Sequence, residues 1–346
     1  MTCRIAVDGR FINRTGGGVS YYTRELVRVL GLCPDIDLYV LANSDTPDTG
    51  HPVLPAPYGV QRHGWADVWY SWILPRQLQA RGIDVFHSPA FRVPLSGRVK
   101  RTVTIHDLTP FIVPDTMPAR FRRYLKLSIR HSLRCADMVL VDSHTVKQEI
   151  IERFGPGCGK RLFVWPPRLT APVAAFPAPE RREAMVLTMG GHARKNIPLL
   201  VRAFARFKQR FPAYRLVVLG RGDDCPASPG VEYTGYVTEA QKLVYLRTAE
   251  MFIFPSSYEG FGIPIHEAFA SGCPVVAADI PVLRETAGQG AVFFRPGSDG
   301  DLCAAMVTLS QDKALRSGLA RAGTEQLDRF QEQHEPQALW RTFCAL

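Results

Sequence analysis

No run of 18 or more apolar residues occurs in the 346-residue chain, which excludes a membrane-spanning helix of ordinary length. The eight cysteines include no Cys-x2-Cys pair, so neither a zinc site nor a disulfide framework is expected, and reduced cytoplasmic thiols are the better reading. The opening Met1-Thr-Cys-Arg-Ile-Ala-Val7 is too short, and interrupted too soon by Asp8, for a secretory signal; it reads as a first strand. Acids are missing from one long stretch: Pro118 to Arg134 carries six Lys or Arg and no Asp or Glu. No recognised nucleic-acid motif or aromatic interleaving accompanies that basic run, so nucleic acid is not an expected partner.

Charge is distributed unevenly. Residues 1–165 hold 22 Lys and Arg against 14 Asp and Glu, whereas the rest holds 20 against 18. Within Pro118–Arg134, Phe121, Leu125, Ile129 and Leu133 recur at helical spacing, so a basic amphipathic helix is predicted. One reading is a core-packing helix with a solvated basic face. The other is a face that meets an anionic membrane surface or a lipid-diphosphate acceptor.

A chain of this length, 46% hydrophobic and 21% charged, can bury two cores. Short apolar runs alternate with amphipathic stretches, the pattern of parallel sheets covered by helices. Strands are expected at Arg4–Val7, Asp37–Leu41, Val85–His87, Arg101–Ile105 and Met138–Val141, with helices over Gly18–Gly31 and Thr145–Phe154. The proline-rich stretch from Trp165 to Glu180 reads as a linker. The rhythm then restarts with Met185–Met189, a helix from Asn196 to Phe211, and Arg215–Leu219. Val231–Tyr233, a helix over Glu239–Thr248, Met251–Phe254, a helix after Pro264, Pro274–Ala277 and Val292–Phe293 follow.

The most informative segment is Glu259-Gly-Phe-Gly-Ile-Pro-Ile-His-Glu267, directly after the apolar run ending at Pro255. Two acids are separated by seven residues. The first should lie on a loop at a strand end. The second should fall in the first turn of the next helix, either as a ligand group or as an acid that merely favours the helix N-terminus. Gly260 and Gly262 would let backbone N–H groups approach an anionic or polyhydroxylic ligand. A strand-to-helix crossing flanked by acids suits a sugar nucleotide.

The whole string from Ser256 to Glu285 resembles the E-x7-E region of the retaining family 4 glycosyltransferases of the GT-B fold. The resemblance also takes in Thr15-Gly-Gly-Gly-Val19, Ile105-His-Asp-Leu108 and Ala193-Arg-Lys-Asn196, and spans nearly the whole chain. It implies an α/β architecture of two Rossmann-like domains facing across a cleft. The acceptor domain would cover residues 1–165 and the linker 166–184. The nucleotide-sugar domain would cover 185–329, and residues 330–346 would rejoin the first domain through a last helix, about Asp328 to Phe343, that crosses back onto it.

By the same resemblance, Glu267 accepts hydrogen bonds from ribose hydroxyls, and Glu259 holds donor-sugar hydroxyls and steadies positive charge at the anomeric carbon rather than acting as nucleophile. Gly260, Phe261 and Gly262 line the same site. Lys195 and Arg194 would face the donor diphosphate and stand in for a metal, so neither metal nor cofactor is expected. The string Gly190-Gly-His-Ala-Arg-Lys-Asn196 departs from one family pattern, because His192 stands near the place of an expected arginine. Arg194 could therefore face solvent instead. Gly16, Gly17 and Gly18 would approach donor phosphate and acceptor. His106 would point at the donor sugar, and Asp107 would either orient it or meet the acceptor. The backbone at Tyr236 and Val237 would meet the nucleobase.

The resulting expectation is a cytoplasmic, metal-independent retaining hexosyltransferase acting on a growing, lipid-linked glycan and peripheral to the inner membrane face. It looks most like bacterial polysaccharide mannosyltransferases, with GDP-mannose as first donor and UDP-glucose as second. A non-catalytic two-lobed sugar- or nucleotide-binding protein is the rival, set apart by the combination of Glu259, Lys195 and Glu267. A GT-B sugar phosphorylase would need a pyridoxal phosphate lysine site, for which no motif is evident.

Overall fold

The computed structural model describes residues 2–12, 17–59, 64–169, 182–221, 228–333 and 335–346. The chain divides into two compact units, 1–168 with 334–346, and 169–333.

The first unit runs β1 (Cys3–Asp8), α1 (Gly18–Gly31), β2 (Ile36–Ala42), β3 (Val53–Pro55), α2 (Trp65–Val68) and, after a π turn at Trp69–Ile73, α3 (Leu74–Ala80). It continues through β4 (Val85–Ser88), β5 (Lys100–Ile105), α4 (Thr109–Ile112), α5 (Ala119–Cys135), β6 (Met138–Val141), α6 (His144–Phe154) and β7 (Leu162–Val164). All pairings are parallel, in the order β3-β2-β1-β4-β5-β6-β7. Sequence order reverses between β1 and β4, as in doubly wound sheets. Central strands such as Met138–Val141 are buried along their whole length, because helices cover both faces. A buried ion pair closes the end of β1. The Arg10 guanidinium lies 2.7 Å from Asp8 and between the rings of Trp69 and Tyr70.

The second unit repeats the plan with β8 (Glu183–Met189), α7 (Ile197–Arg210), β9 (Arg215–Leu219), β10 (Val231–Tyr233), α8 (Glu239–Thr248) and β11 (Ala249–Phe254). Then come α9 (Ile263–Ala270), β12 (Val275–Ala278), α10 (Pro281–Ala287), β13 (Ala291–Phe294), α11 (Asp299–Gln311) and α12 (Lys313–Gln333). Its sheet, β10-β9-β8-β11-β12-β13, is again wholly parallel, and the order reverses between β8 and β11. Two Rossmann-like α/β units are therefore present.

Three differences from the sequence reading have clear causes. The single helix expected over Asp328–Phe343 is two: α12 ends at Gln333 and α13 (Pro336–Cys344) starts afresh. Pro336 lacks an N–H and its ring clashes with a preceding carbonyl, so it opens a helix rather than continuing one. In α5, Leu125, Ile129 and Leu133 are buried as the spacing predicts, but Phe121 at the first turn is exposed. The strands Val53–Pro55 and Leu162–Val164 went unread because three residues carry no periodicity. Most of the proline-rich linker lies outside the described residues.

The helix α13 completes the first unit. Leu339 and Phe343 are fully buried among β1, α1 and β2 residues, and Trp340 Nε1 donates to the Val29 carbonyl at 2.8 Å.

Candidate functional site

Arg194, Lys195 and Glu259 of the second unit lie where the strand order reverses, beyond the carboxyl ends of β8 and β11. This is the place where doubly wound sheets bind ligands. From the β8 side comes a tight turn, Ala193–Lys195, followed by Asn196 in a left-handed conformation at φ +53°. From the β11 side comes the loop Pro255–Gly262. The two are stitched together, since Ser257 N donates to the Arg194 carbonyl at 2.9 Å and Arg194 donates to the Tyr258 carbonyl at 3.2 Å.

Glu259 is buried in this junction. Lys195 Nζ is 2.7 Å from its Oε1, and the Arg194 guanidinium pairs with its Oε2. Lys195 also stands 4.2 Å from the centre of the Phe254 ring, a cation–π contact at the end of β11. Here two cations share one carboxylate. Burial alone would raise the Glu259 carboxyl, but Lys195 and Arg194 outweigh it and hold the group below its ordinary value. Lys195 is pulled below the usual lysine value by burial, with Arg194 beside it acting in the same sense.

Glu267 shows the opposite stoichiometry. Its Oε1 is 2.6 Å from Lys242 Nζ on α8, and the same ammonium is 2.7 Å from Glu239. One cation serves two carboxylates. Burial lifts the Glu267 carboxyl above its ordinary value, because its share of Lys242 does not compensate. Burial pulls Lys242 down, but the two acids outweigh it and its value is raised. Lys195 and Glu267 lie within electrostatic reach of each other, so the net-positive and net-negative clusters adjoin.

The glycine between them is required. Gly262 caps α9 at φ +107°, and a Cβ there would meet Leu283 Cδ2 at 3.0 Å. With α9 opening at Ile263, Glu267 falls in its second turn rather than the expected first. The reading of Glu267 as an acid that merely favours the helix start is therefore wrong.

In the first unit, His106 is buried at the end of β5, edge-on to Tyr22 and Phe91. Its Nδ1 is 2.8 Å from Asp142 Oδ2 and its Nε2 is 2.7 Å from the Pro89 carbonyl. A carbonyl only accepts, so Nε2–H donates to it, while Nδ1 shares a proton with the Asp142 carboxyl, which burial raises above its ordinary value. Burial opposes charge on the ring, but Asp142 and the Pro89 carbonyl raise His106 above the ordinary histidine value. His106 therefore spends both nitrogens inside the unit, in contrast to the expectation that it points at a sugar. Its orienting acid is Asp142; Asp107 instead accepts from Thr109 N at 2.8 Å.

Chains with this architecture are known. The family described as "Glycosyltransferase Family 4" matches residues 16–167, and the one described as "Glycosyl transferases group 1" matches residues 183–312. The two matches together span most of the chain, a glycosyltransferase with a family 4 domain in its first unit and a group 1 domain in its second. An O-antigen chain mannosyltransferase B from Escherichia coli is 27% identical over 71% of this chain and 70% of its own. The O-antigen chain mannosyltransferase RfbU from Salmonella typhimurium is 25% identical over 87% and 89%. Among solved structures, a sucrose-phosphate synthase from Thermosynechococcus elongatus superposes with a TM-score of 0.77 at 18% identity, over 99% of this chain and 98% of its own. Anabaena HepE in complex with UDP and glucose gives 0.69 at 14% identity, over 100% and 99%. These likenesses identify the fold as GT-B.

The glycosyltransferase thus brings Arg194, Lys195, Glu259 and Glu267 into one neighbourhood of its second unit. The Gly235-Tyr236-Val237 turn also lies on this sheet, at the end of β10. Gly235 there exchanges backbone hydrogen bonds with Gly220, and Tyr236 is exposed. Gly260 is buried in the β11–α9 loop. Phe261 is a correction: its ring packs with His266 and Phe330 in the core and its carbonyl accepts from Thr286, so that ring lines no ligand site. Gly17 caps α1 at φ +105° and Gly18 is its first residue, whereas Gly16 lies outside the described residues.

Two strings of D-x-D form occur, Asp35-Ile-Asp37 and Asp299-Gly-Asp301, and three of their four acids face arginines. Asp37 lies 3.5 Å from Arg4, while Asp299 and Asp301 open α11 facing Arg206 and Arg295. Asp223 and Asp224 lie outside the described residues. Among the described residues, no group of three or more His, Cys, Asp or Glu could hold a metal ion.

Sequence reasoning missed Lys242 and Asp142. Each meets its partner across 25 and 36 residues of chain, respectively. The only local signal was the Glu239–Lys242 spacing on one helix face.

Proposed function

We propose that this glycosyltransferase moves a hexose, mannose before any other, from a nucleoside-diphosphate sugar to a growing lipid-linked glycan at a membrane surface, with retention and without a metal. The observation that carries the reading is the pair of adjoining clusters of opposite net charge at the switch point of the second sheet. Arg194 and Lys195 exceed Glu259 by one charge, which suits a diphosphate. Glu239 and Glu267 exceed Lys242 by one, which suits hydroxyl donors such as those of ribose.

In this reading the bond from the anomeric carbon to the diphosphate oxygen breaks, and its electrons pass to the diphosphate. Lys195 and Arg194 take up that growing charge. The acceptor hydroxyl forms its new bond on the same face, and its proton goes to the departing phosphate oxygen. Glu259 is held ionised by its two cations, so it stabilises positive charge on the sugar without needing to become a nucleophile.

Mannose is favoured because the two O-antigen relatives are named mannosyltransferases. The second reading is glucose from UDP-glucose, supported by the fold neighbour solved with UDP and glucose. The test is transfer to a lipid-diphosphate glycan from labelled GDP-mannose and UDP-glucose, in magnesium and in excess EDTA. Mannosyl product of unchanged anomeric configuration in both buffers is expected. Glucosyl product favours the second reading. Activity lost to EDTA and restored by magnesium overturns metal independence.

A further inference from the structure

The segment from Trp65 to Ala80 buries Ala66, Trp69, Tyr70, Leu74 and Leu78 on its inner side, which its packing requires. Its outer side should then be charged. Instead Trp65 is 78% exposed, Trp72 47%, Ile73 43% and Val68 41%, and the one acid among them, the half-buried Asp67, is paired with Arg92. Single exposed apolar residues need no explanation, but two indoles and two branched aliphatics on one short helical segment form a patch.

Beside this patch lies the basic helix. Arg92 Nη1 donates to Asp67 on α2 at 2.5 Å and to the Tyr124 hydroxyl on α5 at 2.7 Å, joining the two elements through one guanidinium. The exposed stripe of α5 is Arg120, Arg123, Leu127, Arg130 and Arg134, and the helix contains no acid.

We propose that α2, the π turn and α5 form a bilayer-docking face on which Trp65 and Trp72 enter the headgroup layer while the α5 arginines meet anionic lipid phosphates. Indoles favour that layer because the ring is apolar and its N–H is polar. Basic side chains add attraction that salt screens. A second copy meeting this face symmetrically would set arginine against arginine, and a nucleic acid would leave Val68 and Ile73 in water; anionic lipid complements both halves. The proposal rests on the membrane-surface acceptor proposed above, but its readout does not depend on sugar transfer.

The test uses the full chain and vesicles of phosphatidylcholine, with and without phosphatidylglycerol. Of the five tryptophans, Trp69 and Trp165 are buried and Trp340 Nε1 is bonded to the Val29 carbonyl, so Trp65 and Trp72 are the pair that lipid can reach. Anionic vesicles should shift tryptophan emission to the blue, brominated acyl chains should quench it, and salt should reverse both. Replacing the indoles (W65S with W72S) should weaken vesicle binding roughly tenfold or more. Charge reversal (R120E, R123E, R130E) should abolish the preference for phosphatidylglycerol. Nucleoside-diphosphate affinity should not change in either variant. Wild-type protein that ignores anionic vesicles overturns the proposal, as does a double-indole variant that binds them equally well. So does a solution dimer that the indole replacements dissolve. Loss of nucleotide binding in wild-type protein would count against the proposed activity and leave the docking face standing.

Discussion

Lys242 Nζ stands 2.6 Å from Glu267 Oε1, and no sequence motif announces the contact. Glu267 is buried, and burial already lifts its carboxyl above the ordinary value. Removing the ammonium lifts it further. Lys242→Met should therefore weaken nucleoside-diphosphate binding by about 1.5–3 kcal/mol near neutrality. The affinity should recover as pH rises, because the carboxylate is what accepts the hydroxyls. Calorimetry across pH checks both, with Lys242→Arg expected to restore the wild-type profile. A pH-independent loss would mean that Lys242 serves only packing.

Glu259→Gln removes the one carboxylate that the buried Lys195 and the half-buried Arg194 share. Leaving such charges without a counterion costs about 3–5 kcal/mol, read as a lowered melting temperature. Transfer should fall about a hundredfold or more, while diphosphate binding should not weaken, since Lys195 and Arg194 are released to the ligand. The pH sign follows from the lowered Glu259 value. Its stabilisation is present above the unfolded carboxylate value and is lost as pH falls through the folded one. The variant should accordingly lose part of the wild-type acid sensitivity in a melting-temperature series.

Lys195→Met should damage both binding and catalysis, with a loss in kcat/KM of about a hundredfold to a thousandfold. Single-turnover measurements would locate the larger share in the chemical step. Equal loss in binding and none in turnover would place Lys195 on the ground-state phosphate alone.

His106 should titrate above the ordinary histidine value. A raised value means stability fully present below the unfolded value and lost as pH rises through the folded one. Asp142→Asn should shift the NMR titration of His106 downward and flatten that limb of the stability profile.

Gly262→Ala should destabilise the second unit by about 1–3 kcal/mol, since alanine must adopt φ +107° and its Cβ would meet Leu283. Thermal unfolding checks it.

Most strands were legible because parallel strands buried on both faces read as short apolar runs, as at Met138–Val141 and Met251–Phe254. The start of α9 was legible from Gly262 and Pro264. Glu259, Lys195 and Glu267 could be singled out from local strings, but their partners could not. Which side chain meets Glu267 or His106 is decided by the packing of elements distant in sequence. The break before Pro336 is different. Its signal was local, and reading one helix across a proline ignored it.

The placement of α13 bears on the order of events during synthesis. Leu339 and Phe343 belong to a core whose other members lie within the first 165 residues. The second unit is one uninterrupted stretch, 169–333, and can close as soon as it leaves the ribosome. The first unit has its strands early but lacks the helix Pro336–Cys344 until that segment emerges. A nascent chain arrested before Pro336 should therefore carry a protected second unit and an open, chaperone-accessible first one. Of the two units, the one begun earlier is completed later.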